Sequence, residues 1–439
     1  VRAAIVAPRA TGAGVAGLVC AISVGALAAG PPGGLTLDDA VHVALERNRD
    51  VIAARLEIQA AQLDVVAARL YPNPTLSYSV GNLVLGKGNS QGGAVRPGFA
   101  DELVHSVGVS DVIDVWAKRS ARIHAADLGV DHRRLEIEDA LREIVYAVRS
   151  AFADLAREQN ELRLAREIAG RYGETVRLSQ ARFRAGDISE AELRRVELEG
   201  LRYTNAVIDA ELQLDLARQK LSGLMGLPSA ADLAPEVVEV GEPRRAYSID
   251  QLVTRALEQR PDVRAAGSAR RAAEAQLSAA KREAYPDITV GAGYTHSQFT
   301  IAGDNPDTLG LSLSLPLPVF DRNQANIGRS ALDIRRADNT LDRLQLVVRH
   351  EIAEAVRKAD RSRTLLDVFD AGGGAAPGGM LQRAETSLQV AEKSYKAGAI
   401  SLLELLDAQR TYLDVRGQYL RAVYDYRQAT IDVRHALGE

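Results

Sequence analysis

The chain is written twice. Phe183-Arg184-Ala185-Gly186-Asp187-Ile188-Ser189 returns as Tyr395-Lys396-Ala397-Gly398-Ala399-Ile400-Ser401, a shift of 212 residues (395 less 183). The same shift carries Ala44-Leu45-Glu46 onto Ala256-Leu257-Glu258 and Asp50-Val51 onto Asp262-Val263. With two residues inserted it also carries Tyr71-Pro72 onto Tyr285-Pro286. Solenoid periods span a few tens of residues, so a repeat this long describes two tandem copies of one large unit. Whatever the chain folds into must place both copies in pseudo-symmetric positions.

Thick globular cores are a poor match for this unit. Only 6 Phe and 1 Trp occur among 439 residues while 26% are charged, which suits long helices burying a narrow stripe. The net charge of −4, with no Lys/Arg block, points to no nucleic-acid partner. Arg2 and Arg9, an apolar run from Val15 to Ala29 and the small residues Ala26, Ala28 and Ala29 read as a signal peptide over residues 1–29. The only cysteine, Cys20, falls inside it. An exported chain with no other apolar helical stretch belongs in the periplasm, the medium or the outer membrane. No phosphate-binding Gly-rich loop, nucleophile elbow or paired-histidine metal motif occurs, so no catalytic residue, cofactor or metal site is expected.

The pattern predicts a first repeat over residues 30–227, a linker over 228–246 and a second repeat over 247–439. Each runs helix, two strands, very long helix, turn, long helix. In the first, Asp38 caps a helix running to about Leu70, where Tyr71-Pro72-Asn73-Pro74 stops it. The period then becomes two. Strands are expected at about 74–85 and 103–115, and again at about 287–298 and 308–318, apolar on one face and small or polar on the other. Such strands suit a transmembrane β-barrel, yet four are too few to close one, so several chains must share it. From Lys118 to Arg184 the pattern is helical, with Gly170 and Gly173 as an expected interruption. The return helix carries Leu193, Val196, Gly200, Tyr203, Val207, Ala210, Leu214, Ala217, Leu221 and Leu224 in alternating steps of three and four. Its counterpart, from Leu405 to Ala436, keeps that coiled-coil register. Between the helices, at about 184–189 and 396–401, Gly186 and Gly398 suit left-handed helix stops. Ser189 and Ser401 suit N-caps, with Glu192 and Glu404 as capping-box partners.

This layout resembles the TolC family of outer-membrane efflux ducts across about Leu35 to Gly438. The resemblance rests on Tyr71-Pro72-Asn73-Pro74, Lys118-Arg119, the paired Gly-x-x-Ser tips and the run from Ser401 to Arg410. It implies a mainly α fold with a transmembrane β-barrel portion, built as a homotrimer with four strands per chain. It also implies a passive duct in outer-membrane lipid, reaching into the periplasm of a Gram-negative cell. A periplasmic adaptor and an inner-membrane pump, of the RND type, would be its partners. Gly186, Ser189, Gly398 and Ser401 fall at the family's adaptor-docking tips. Glu404, Asp407 and Tyr395 fall at its periplasmic gate, where a ring of acids in a narrow bore favours cations. Ile400 stands where some members place a basic residue that locks the closed state, and Glu192 and Arg195 replace the acidic pair in the first copy. The Gly-rich stretch Gly372–Gly379 is expected to be a connector with no helix through it.

Within the family the chain looks most like the CzcC-like ducts of heavy-metal cation efflux. The seven scattered histidines do not point to metal by themselves. A duct for drugs or other organic toxins is the alternative cargo, and a periplasmic coiled-coil adaptor or structural protein is the alternative of another class.

Overall fold

The computed structural model describes residues 35–81, 103–228, 246–298, 305–371, 378–397 and 399–439. The expected signal peptide, nearly all of the 228–246 linker, Gly398 and six residues of the Gly-rich stretch lie outside these. In chain order come α1 (Leu37–Arg47), α2 (Arg49–Arg69), β1 (Thr75–Gly81), β2 (Val104–Ile113), α3 (Lys118–Ala185) and α4 (Glu190–Leu224). The second copy follows as α5 (Ile249–Gln259), α6 (Pro261–Glu283), β3 (Ile288–Ser297), β4 (Asp307–Ser314), α7 (Gln324–Ala371), α8 (Met380–Lys396) and α9 (Leu402–Leu437).

The opening helix is two helices. Thr36, not Asp38, caps α1, in a capping box with Asp39. The chain then breaks at Asn48, whose side-chain oxygen accepts from the N–H groups of Asp50 and Val51. Asn48 is buried, and its amide donates to the carbonyl of Leu224 at the end of α4 (2.8 Å). The second copy breaks at the equivalent Arg260, which donates to the carbonyl of Ala436 (3.1 Å). Apolar periodicity runs straight through both breaks, so the pattern conceals them. Around Arg260 the clamp is ionic. Its guanidinium also holds Asp262 (2.6 Å) and Glu351 (2.6 Å), and Arg142 nearby donates to the carbonyl of His435 (2.9 Å) and to Asp139 (2.7 Å). Burial pushes the Asp139 carboxyl up, with Arg142 opposing it.

The interruption expected at Gly170 and Gly173 is absent: α3 runs unbroken for 68 residues, about 100 Å. A helical glycine costs only about 1 kcal/mol relative to alanine. Leu162, Tyr172, Thr175 and Ser179, buried on both sides of the pair, hold the helix through it. In the second copy the same length is split between α7 and α8. Buried Val148, Phe152, Leu155 and Leu162 of α3 correspond to Ile352, Val356, Ala359 and Leu366 of α7, a shift of 204 (352 less 148). From α8 onward the shift is 212 again. The difference is the eight residues Gly372–Gly379, an insertion that separates α7 from α8. Every position of the two return-helix seams is buried or half-buried, as their register requires.

The four strands form one antiparallel sheet in the order β1-β2-β3-β4, in which β2 and β3 join the two copies from Val104↔Ser297 to Ile113↔Ile288. Cross-strand rows such as Leu76, Val109, Ala292, Leu311 and Tyr78, Val107, Tyr294, Leu309 make one face apolar. Rows such as Ser77, Gly108, Gly293, Gly310 make the other face small. A Cβ at Gly291 would sit 2.6 Å from Ser312 Oγ, so a side chain there would have to displace that hydroxyl. The expected strand at 308–318 stops at Ser314, because Pro316 and Pro318 have no N–H to donate to a ladder. The strand at 103–115 stops at Ile113, where Asp114 turns its carboxylate to accept from the N–H groups of Trp116, Lys118 and Arg119.

Candidate gate and membrane span

The sheet carries the marks of a membrane span. Its apolar face is open: Leu309, Leu311 and Leu313 are 73–86% exposed. Among the described residues no helix is long and apolar enough to cross a membrane. Polar aromatic residues bound that face at both ends. Near the loops, Tyr78 and His105 share a hydrogen bond (2.9 Å), and Asp307 accepts from Tyr294 and engages His296. At the helical end, Trp116 stacks on Tyr285 (4.9 Å) and donates to the carbonyl of Pro286, while Arg119 lies 4.0 Å over the ring of Tyr71. From Tyr285 to Tyr294 the chain rises about 30 Å along the strand, or about 23 Å along the normal at a 40° tilt, near the ~25 Å apolar band of outer-membrane barrels. Lys118, buried at the foot of the sheet, is held by Asp287 (2.9 Å) and Glu283 (3.7 Å), so it anchors the junction of strand and helix.

At the other end of the helices lie two hairpin tips. Gly186 takes φ +82°, and its N–H donates to the carbonyl of Phe183 (3.0 Å). Ser189 and Ser401 then start α4 and α9 through matching capping boxes. Ser189 N–H donates to the Glu192 carboxylate (2.8 Å), and Ser401 N–H donates to that of Glu404 (3.0 Å). The bonds from Ser189 hold the Glu192 carboxyl below the usual range. At the second tip Ala399 N–H closes the turn onto the carbonyl of Ser394 (2.8 Å).

The expected gate residues divide within a single chain. Glu404 and Asp407 are exposed on α9, whereas Tyr395 is 4% exposed. Tyr395 packs with Tyr172, Val196, Leu402, Leu405 and Leu406 in a core joining the two hairpins, and Arg182 lies 4.8 Å over its ring. Ile400 packs against that core. The acidic pair can therefore face a bore, while Tyr395 fastens hairpin to hairpin.

Sequence reasoning passed over the polar groups just inside the tips. Arg410 of α9 reaches Glu199 of α4, which also accepts from Arg202 (3.0 Å). Arg416 grips Glu167 of α3 with both fork nitrogens (3.1 and 3.2 Å). Burial pushes the phenols of Tyr172 and Tyr203 up, and the Glu199 charge adds to it. A signal existed: under the 212-residue shift Glu199 becomes Thr411 and Arg410 becomes Leu198, so these charges break the repeat. No group of three or more His, Cys, Asp or Glu among the described residues is placed to hold a metal ion.

Known proteins share this architecture. Solved structures with the same fold include CusC (TM-score 0.69, 19% identity, 92% of each chain) and OprN (0.72, 20%, 92% of this chain and 89% of that one). VceC of Vibrio cholerae also matches (0.70, 19%, 92% and 96%). Among curated sequences the chain is similar to the cobalt-zinc-cadmium resistance protein CzcC of Cupriavidus metallidurans, 27% identical over 94% of this chain and 91% of the relative. It is similar also to the cation efflux system protein CusC of Escherichia coli K12 (25%, 91% and 85%) and to the pyoverdine export outer membrane protein OpmQ of Pseudomonas putida (24%, 92% and 85%). Residues 40–227 and 252–439 each match the family described as Outer membrane efflux protein, one match per copy, and the chain belongs to that family.

Proposed function

We propose that three copies of this outer-membrane efflux protein close a twelve-stranded barrel and a twelve-helix periplasmic tunnel, and that the duct passes divalent heavy-metal cations. The carrying observation is the open four-stranded sheet, whose apolar face is exposed and whose edge strands β1 and β4 have unpaired sides. Four strands cannot close, and about eight is the smallest barrel. Pseudo-symmetry supplies the second contact. The outer face of α9 packs on α3 in the same chain, through Tyr146 with Asp432, Ser150 with Gln428 and Asn160 with Tyr424. Its counterpart on α4 presents Leu201, Ile208, Leu212 and Leu216, each 48–63% exposed. A neighbouring chain's α7, the counterpart of α3, covers that stripe in the assembly.

The cargo reading rests on the similarity to CzcC and CusC and on the exposed Glu404 and Asp407, which a threefold axis would repeat as an acidic ring. The tips at Gly186–Ser189 and Gly398–Ser401 are the docking points for a periplasmic adaptor and, through it, an inner-membrane pump of the RND type. Export of organic compounds is the second reading, favoured by the similarity to OpmQ. Deleting the chain from its host and measuring growth in zinc, cobalt, cadmium, copper and a panel of organic toxins separates the two. Sensitivity to the metals supports cation efflux, and sensitivity to the organics alone overturns it.

A further inference from the structure

We infer that the foot of the barrel carries an arginine girdle, Arg119, Arg282 and Arg322, that binds the phosphates of anionic phospholipids in the leaflet facing the periplasm. This rests on the reading of the sheet as a membrane span. All three lie where strands give way to helices. Arg119 covers the ring of Tyr71, and its Nε donates to the carbonyl of Arg69 (2.8 Å). Arg282 donates through Nη1 to the carbonyls of Trp116 (3.2 Å) and Ala117 (3.3 Å), the latter two residues before Arg119. Arg322 donates through Nε to the carbonyl of Pro318 (3.2 Å). Its neighbour Asn323 fastens that turn to the end of α6 through the carbonyl of Ala280 (2.8 Å).

The acids at this level are engaged elsewhere. Asp287 and Glu283 hold the buried Lys118, and Glu283 also pairs with Arg122 (3.7 Å). Asp114 accepts from three backbone N–H groups, while Asp111 and Asp321 accept from those of Val112 and Asn323. Among the described residues no carboxylate pairs with Arg119, Arg282 or Arg322. A guanidinium carries five N–H donors, and each of these three engages one nitrogen, on a neutral carbonyl. The other two nitrogens of each keep the planar fork that matches two phosphate oxygens.

The surroundings say which phosphate. Trp116 and Tyr285 are stacked beside Arg282, at the depth where aromatic residues mark a membrane interface. Phe320, two residues before Arg322, is 92% exposed, so its ring enters the acyl chains while the guanidinium stays among the headgroups. The loop end of the sheet is built differently. No Lys or Arg occurs in any of the four strands, and the polar groups there are Tyr78, His105, Tyr294, His296 and Asp307. The uncompensated positive charge therefore lies on the helical side alone, against the phospholipid leaflet. An arginine at such a surface favours an anionic headgroup by about 1 kcal/mol.

Trp116, the only tryptophan of the chain, is a reporter inside the girdle. The test reconstitutes the purified full chain into phosphatidylcholine vesicles that contain brominated phosphatidylglycerol or brominated phosphatidylcholine. Quenching of Trp116 then gives the relative affinity for the two headgroups. The wild type should prefer phosphatidylglycerol about tenfold, the effect of one to two surface arginines. Arg119→Gln/Arg282→Gln/Arg322→Gln should bring the ratio to about one. Arg322→Gln alone, exposed and bonded only within its own turn, should lower the ratio about twofold, and it serves where the triple variant does not fold. Arg194→Gln, at the hairpin tip, should leave the ratio unchanged. Inorganic phosphate, added at constant ionic strength, should not abolish the preference; if it does, the ligand is free phosphate and the lipid assignment falls. Equal quenching by both lipids in the wild type, or an undiminished preference in the variants, overturns the girdle and leaves the span intact. A tryptophan that neither bromolipid quenches overturns the span and the girdle together.

Discussion

Replacing Arg260 by alanine removes the buried fork that clamps the end of α9 onto the break between α5 and α6. Arg260 is 2% exposed. The substitution leaves the carbonyl of Ala436 without its side-chain donor, about 1–2 kcal/mol. It also leaves Asp262, whose side chain is 13% exposed, with the Val263 N–H (2.8 Å) and only the distant charge of Arg142 at 4.0 Å, a loss of about 2–3 kcal/mol. Glu351 is 43% exposed and adds less than about 1 kcal/mol. The total is about 4 kcal/mol. The repeat supplies an internal standard: Asn48 makes the same bond in the first copy without charge, and Asn48→Ala should cost about 2 kcal/mol through one hydrogen bond and a helix cap. Hydrogen exchange at amides 255–265 and 430–439, read by mass spectrometry on the intact oligomer, measures the local opening free energy. Arg260→Met/Asp262→Asn should recover more than half of the loss, because the stranded charge goes too. Equal costs for Arg260→Ala and Asn48→Ala, or no recovery in the double variant, would refute the assignment of the extra loss to Asp262. Acid gives a second reading. Burial raises the Asp262 carboxyl, but the Arg260 hydrogen bond and charge outweigh it and its pKa is lowered. Its stabilisation is therefore complete above the unfolded value near 4 and is lost as pH falls through the lower folded value, a loss that Arg260→Ala should diminish.

Leu311→Arg, at the centre of the apolar sheet face, should destabilise the folded barrel by about 2–4 kcal/mol, whereas Ser312→Arg, exposed on the opposite face beside Gly291, should cost far less. Heat-modifiability on gels reads both. Gly226→Ala should lower the melting temperature, since Gly226 takes φ +66° and a Cβ there would meet the Arg47 carbonyl oxygen at 2.5 Å; a cost below about 1 kcal/mol would show that the turn relaxes freely. Glu404→Ala/Asp407→Ala should weaken block of the channel by divalent cations in bilayer recordings, and unchanged block would remove both residues from the bore.

The sheet, the return helices and the tips were legible because each follows a local rule: alternation at Leu309–Leu313, three- and four-residue steps at Leu193–Leu224, glycine and serine at the turns. The helix breaks at Asn48 and Arg260 were not, because tertiary bonds to Leu224 and Ala436 cut helices whose apolar period is continuous. Gly170 and Gly173 misled for the opposite reason, since packing outweighs a weak local preference. At the candidate gate, Glu404 and Asp407 stand out in the sequence as acids near a turn. That Tyr395 would be buried, and that Arg410 would meet Glu199 from 211 residues away, depends on how two hairpins lie together. No spacing in the sequence encodes that.

The joining of β2 to β3 bears on how the proposed barrel assembles. An open sheet has two free edges whether it holds four strands or eight, so a pair of chains leaves as much unpaired backbone in lipid as one chain does. In the proposed twelve-stranded ring the third chain is the one that brings the number of edges to zero. Each unsatisfied backbone group in hydrocarbon costs several kcal/mol, so the saving arrives at closure. One- and two-chain species should therefore be scarce at every stage of insertion. Because β1 and β4 are complementary ends of a single chain, one kind of edge contact, made three times, completes the ring.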